Sequence, residues 1–282
     1  MELPVLEMAQ VIRRVAPDAI ICVDAAHTMF TRPVQIYPAT DGDESTATSS
    51  LSSVVDYWIS NGHKWLAAPK GIAFMWIHPK CMQRGIRPAI VSHGYQPGTN
   101  SSSNLTANQF IDESRVLSAF AWDGCRDYGA LLTIPSTLHL WKKIAESVRR
   151  EDGDSSGSAG AGNGRADRDG LHTIRQHNLD TMNTAERLLV KEWNIDKQMF
   201  IGHVKMRENL PMRLIPLPWD STHNGKCTDA NAFQLQEKLF SMGIEAPIKC
   251  LQGRLYIRLS AHIYNTAEDY QKLARVMKQL YA

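Results

Sequence analysis

The stretch DYWISNGHKWLAAPKGIAFMW, residues 56 to 76, constrains the fold most. Residues 54–60 and 71–77 are apolar runs of strand length, rich in β-branched and aromatic side chains. A turn bearing Gly62 follows the first run, and Lys64 comes directly after His63. A lysine just past Val54, Val55, Tyr57, Trp58 and Ile59 stands where an ammonium is costly to desolvate. A lone lysine after a strand is ordinarily a solvated surface charge. A lysine amine attacks a carbonyl only when neutral; its ordinary pKa of about 10.4 falls with burial or a nearby cation.

The residues before this stretch follow α/β grammar. Val5, Met8, Ala9, Ile12, Val15 and Ala16 recur at helical spacing, and Pro17-Asp18 ends that helix. Ala19 to Val23 (AIICV) reads as a buried parallel strand, closed by Asp24, with His27 three residues on. In open α/β sheets, ligands sit at the carboxyl ends of such strands. Residues 41–53 read as an exposed loop, and 92–109, rich in Ser, Asn, Gly and Gln, as a long loop. Tyr128 to Arg150 predicts a helix kinked at Pro135. The low-complexity stretch 151–170 (EDGDSSGSAGAGNGRADRDG) is expected to be a disordered insertion.

From Leu171 the pattern predicts a helix to about Trp193, a strand near 212–217, a helix over 231–242, a strand over 255–261 and a final helix. Thr266 would cap that last helix, with Asp269 at the capping-box position. The expected organisation is α/β. Residues 1–150 form part of a large domain with a mainly parallel sheet, 151–170 an insertion, and 171–282 a small α+β domain.

Composition narrows the function classes. The net charge of +2 gives no electrostatic case for nucleic acid or membrane surfaces. No apolar run approaches the roughly 18 residues of a bilayer span, and MELPVLEMAQ lacks a signal-peptide pattern. The five cysteines (22, 81, 125, 227 and 250) include no C-x-x-C pair, so a reducing cytoplasm is the default expectation. Neither H-E-x-x-H nor a P-loop occurs, so no metal site is expected. Gly153 to Gly157 matches G-x-S-x-G but lacks the preceding strand that a nucleophile elbow needs.

Taken singly, the polar residues have plain readings: Asp24 as a helix N-cap, His27 and His63 as satisfied loop histidines, Arg258 as half of a salt bridge. Taken in order, they carry a resemblance. VDAAHT, then DYWISNGHKWLAAPKG, then F-x-W-x-G-x-x-D from Phe120 to Asp127, then R-L-S-x-x-x-Y-N from Arg258 resemble class V aminotransferases. These are fold type I enzymes dependent on pyridoxal 5'-phosphate (PLP), and the similarity points to the isopenicillin N epimerase-like branch. It runs over about residues 3–130 and 171–280. The resemblance implies that Lys64 is the Schiff-base lysine and shuttles protons at the alpha carbon. It places Asp24 at the pyridinium nitrogen, His27 beside the phenolic oxygen, and Asn61 and His63 at the phosphate. It makes Arg258 a bidentate clamp for an amino-acid carboxylate, which lysine would not reproduce. Family members often have serine where Asn61 stands.

The resemblance also implies a homodimer and a long preceding segment that helps to grip the phosphate. The sequence is accordingly expected to be truncated, completed by a partner, or a degenerate copy, with truncation favoured. Cys125 stands where the family has a Gly-Thr threonine that reaches the phosphate across the dimer, and a thiol is a weak partner. The expected activity is chemistry at the alpha carbon of an amino acid, by epimerisation or carbon–sulfur lysis, with transamination less favoured. The mobile cysteine of a desulfurase is absent from 92–109. The alternative is a non-catalytic homologue or subunit that binds PLP poorly or not at all.

Overall fold

The computed structural model describes residues 3–31, 36, 50–82, 86, 88–93, 113–121, 124, 127–151, 163–201, 207–218 and 226–281. Cys125 and nearly all of the 92–109 loop lie outside them. The chain divides into two compact units, residues 4–139 and residues 140–282 together with 1–3.

In the first unit, helix α1 (Val5–Val15) has Glu7 in its first turn and Arg13 and Arg14 in its last, matching the helix dipole. Its apolar stripe is only partly used: Ala9 is buried, whereas Ile12 and Val15 are exposed. Strand β1 (Cys22–Asp24) pairs parallel with β2 (Tyr57–Asn61), in the register Cys22↔Tyr57 and Asp24↔Ile59. Strand β3 (Ala73–Ile77) pairs antiparallel with β2, Asn61 opposite Ala73. The sheet order is β1-β2-β3, a parallel pair with an antiparallel edge strand. The buried strand expected over Ala19–Val23 is shorter and later. Ile20 is exposed and Ile21 buried, because β1 pairs on one side only among the described residues. Ala9, Ile21, Val54 and Val55 form a small core beneath it.

Helices α2 (Pro79–Met82), α3 (Glu113–Ala121), α4 (Gly129–Leu132) and α5 (Ile134–Glu151) follow. The expected kink at Pro135 is a break at Thr133, where α4 ends. Pro135 then falls in the first turn of α5, where its missing N–H leaves nothing unsatisfied.

In the second unit, α6 spans Asn163–Glu192, so it begins ahead of the expected Leu171. Residues 163–170 of the expected insertion are therefore helical, and 152–162 lie outside the described residues. Arg165, Ala166 and Arg168 favour helix, and propagation from an established helix is cheap where nucleation is not. Strands β4 (Met212–Pro216), β5 (Ile248–Leu251) and β6 (Arg254–Ser260) form an antiparallel sheet in the order β4-β6-β5. Helices α7 (Asp229–Ser241) and α8 (Ala267–Tyr281) complete the unit. Its core is larger, built on Met182, Leu189, Ile215, Leu239, Ile257 and Met277, all fully buried. The backbone N–H of Thr266 donates to Asp269 Oδ2 at 3.0 Å, one arm of the expected cap on α8. No helix among the described residues is long and apolar enough to cross a membrane.

Candidate active site

The parallel register brings the carboxyl ends of β1 and β2 side by side. The Ala25 N–H donates to the Ile59 carbonyl at 2.7 Å, and the buried Ser60 hydroxyl donates to the Ala25 carbonyl at 2.8 Å. Asp24 and Asn61 therefore end neighbouring strands on one edge, and the turns carrying His27 and Lys64 leave from that edge.

The lysine turn is held tightly. The Gly62 N–H donates to the Ile72 carbonyl at 2.9 Å, and the Ala68 N–H returns to the Gly62 carbonyl at 3.1 Å. Trp65, Leu66, Ala68 and Ile72 are buried around it. Ala67 sits at φ +54°, a left-handed conformation that costs a non-glycine residue roughly 1 kcal/mol or more. Lys64 Nζ lies 3.2 Å from His27 Nε2, and the Trp65 indole N–H donates to His27 Nδ1, also at 3.2 Å. Lys64 is half-buried.

Asp24 is exposed at the end of β1, where Oδ1 accepts the Ala26 N–H at 3.0 Å and so caps the following turn. Its other oxygen makes no hydrogen bond or ion pair among the described residues. His63 Nδ1 lies 3.1 Å from the Ile72 carbonyl; that nitrogen is the donor, which leaves Nε2 available at the surface. Asn61 is the last residue of β2. Arg258 lies on β6 in the other unit, opposite Leu214, and its guanidinium has no hydrogen-bond or ion-pair partner among the described residues. The salt bridge considered for it is not formed. Lys64, His27 and Asp24 thus gather at one sheet edge, with Asn61 and His63 in the same turn; Cys125 lies outside the described residues.

No family model matches the chain. The chain is 23% identical to an L-cysteine desulfhydrase of Arabidopsis thaliana over 99% of its own length and 51% of that protein. It is 27% identical to the isopenicillin N epimerase of Amycolatopsis lactamdurans over 80% of its length and 47% of that protein. Among solved structures it superposes on a C-DES mutant with glycine covalently linked to its PLP cofactor. The TM-score is 0.57 at 15% identity, over 98% of this chain and 56% of that one. The apo cysteine desulfurase of Thermococcus onnurineus gives a TM-score of 0.53 at 14% identity, over 98% of this chain and 56% of that one.

The chain has the fold type I architecture and is similar in sequence to the desulfhydrase and the epimerase above. It spans about half the length of the curated relatives it matches.

Sequence reasoning passed over Trp65 and Ser60. The indole N–H reaches His27 across 38 positions of sequence, a contact no local pattern encodes. It also gave Gly62 no packing role, yet a Cβ there would meet Ile72 Cγ2 at 2.8 Å and Phe74 Cε2 at 2.9 Å. Ile72 is fully buried and has little room to yield. Gly62→Ala is expected to cost about 1–3 kcal/mol by overpacking. Urea unfolding checks this; an unchanged midpoint would mean that the turn relaxes freely.

Proposed function

We propose that this chain carries the amine-bearing site of a PLP-dependent enzyme that acts at the alpha carbon of an amino acid, by carbon–sulfur lysis or epimerisation. The observation that carries the reading is the meeting of Lys64, His27 and Asp24 at one sheet edge. The names of the similar proteins support it.

The donor set fits PLP. It offers an amine for an aldehyde, a carboxylate with an oxygen uncommitted among the described residues for a ring N–H, and an imidazole beside the amine. PLP, when bound, supplies an electron sink that acidifies the alpha carbon. Lys64 provides the nucleophilic amine and then takes or returns the proton at that carbon. Asp24 holds a proton at the ring nitrogen through a charge-assisted hydrogen bond. His27 would lie at the phenolic oxygen, and Asn61 and His63 would hold the phosphate, with Cys125 a weaker candidate there. Arg258, with five donors and no partner among the described residues, would clamp the substrate carboxylate. Residues 1–150 would contribute to the cofactor domain and 171–282 would form the small domain, in a cytoplasmic homodimer. Epimerisation and lysis share the proton removal by Lys64 and part only when the sulfur leaves.

The test is a PLP titration of the purified chain, then borohydride reduction and peptide mass mapping. The pyridoxyl mass is expected on Lys64 and is expected to vanish in Lys64→Ala. Folded chain with no mass on Lys64 would overturn the proposal in favour of a non-catalytic homologue.

A further inference from the structure

We infer that Trp65 is a positioning residue that locks His27 in one tautomer and thereby fixes which partner donates in the His27–Lys64 contact. This deepens the proposed role of Lys64 and rests on it, but the geometry stands without cofactor. The indole N–H of Trp65 can only donate, and it is aimed at His27 Nδ1 at 3.2 Å. That nitrogen must therefore present a lone pair. In a neutral imidazole the proton then sits on Nε2, which faces Lys64 Nζ at 3.2 Å. Nε2–H is then placed to donate to the lysine nitrogen in its neutral form, the form with a lone pair to offer.

The opposite arrangement forfeits the Trp65 hydrogen bond. An ammonium donating to Nε2 would require a proton on Nδ1, which would face the Trp65 N–H as a second donor. A doubly protonated imidazole would clash with both partners. Trp65 is 6% exposed, and its ring lies in the packed lysine turn beside Leu66 and Ala68, so the indole cannot swing away without disturbing that turn. The other charged groups of this edge are engaged elsewhere or differently: Asp24 caps Ala26, and His63 donates to Ile72. The chain thus favours the nucleophilic form of Lys64 by about one hydrogen bond, through a relay from Trp65 to His27 to Lys64. A phenylalanine would keep the packing and lose the relay.

The experiment uses the whole chain without PLP, labelled with nitrogen-15 at histidine. Long-range proton–nitrogen correlation spectra report the tautomer of His27, assigned by the loss of its signals in His27→Gln. The expected result is Nε2–H for His27 in the unsubstituted chain, and a shift toward Nδ1–H in Trp65→Phe. Competitive acetylation with mass mapping then reads Lys64 directly. Its rate relative to exposed Lys70 is expected to fall roughly fivefold in Trp65→Phe, the worth of one neutral hydrogen bond. A proton on Nδ1 of His27 in the unsubstituted chain would overturn the inference even if Trp65→Phe failed to fold. An unchanged tautomer and labelling rate in a folded Trp65→Phe would do the same. Failure to bind PLP would count against the proposed function and leave both readouts intact.

Discussion

Replacing Asp56 with alanine is expected to destabilise the 4–139 unit by about 3–5 kcal/mol, the usual cost of removing one partner of a buried ion pair. Asp56 is fully buried and ion-paired with Arg13 of α1. Oδ2 also accepts the Ile21 N–H at 2.7 Å, and Oδ1 accepts the Cys81 thiol at 3.2 Å. Lys80 Nζ lies 3.3 Å from Oδ1, but that side chain is 43% exposed and adds little. Arg13 donates further to the carbonyls of Val54, Pro17 and Ala19. One carboxylate therefore ties α1, the entry to β1, the start of β2 and α2 together. Alanine would leave the Arg13 guanidinium part-buried beside a cavity. In urea the midpoint is expected to drop by about 2 M. A drop below about 0.5 M would mean that Asp56 is not the tie.

The same carboxylate makes the unit acid-sensitive. Burial opposes its charge, but the Ile21 N–H and the Arg13 guanidinium outweigh burial and hold it well below the ordinary carboxylate range. A folded-state pKa depressed below the unfolded one gives stability that is present above the unfolded value of about 3.9. That stability is lost as the pH falls below it toward the folded value. Unfolding free energy is therefore expected to decline below about pH 4 and to decline less in Asp56→Ala. Parallel pH dependences in the two chains would assign the acid sensitivity to other groups.

The parts of the molecule legible in sequence were those with local signals. Val54 to Ile59, the glycine turn and Ile72 to Ile77 announced a strand pair, and the polar residues after AIICV announced a carboxyl edge. Strand β5 was not foreseen, because Ile248–Leu251 is only four residues long and Lys249 and Cys250 give it no clear alternation. The cap of α7 was also passed over: Thr228 and Asn231 form a reciprocal capping box, but with asparagine where the usual pattern has glutamate or glutamine. Asp56 had a signal, a lone charge inside an apolar run, but its partners at Arg13 and Ile21 lie more than thirty positions away. For the site, the residue types at Asp24, His27 and Lys64 were legible. The hydrogen bond from Trp65 was not, because its direction depends on how two turns face each other.

Two arginines of the β4–β6 sheet separate structure from chemistry, and sequence alone treats them alike. Arg213 pairs with Leu259 and Arg258 with Leu214, so the alternation of a strand puts them on opposite faces. Arg213 is 4% exposed and fully engaged. It donates to Glu186 Oε2 at 2.8 Å, to Asn183 Oδ1 at 2.6 Å, and to the carbonyls of Leu210 and Glu208 at 3.0 and 2.9 Å. Arg213→Ala would strand Glu186, which is 18% exposed, with only Arg207 at 3.7 Å left to it, and would unpair two carbonyls. The second unit is expected to lose about 3–5 kcal/mol. Arg258 has no such partners, so Arg258→Ala is expected to change stability by no more than about 0.5 kcal/mol. The two urea midpoints, measured side by side, decide the matter. If Arg258→Ala destabilises as much as Arg213→Ala, its guanidinium is part of the fold's scaffold and is not held in reserve for a carboxylate. If only Arg213→Ala does, the second unit keeps an unspent, half-buried cation on β6, which is the condition that the proposed carboxylate clamp requires.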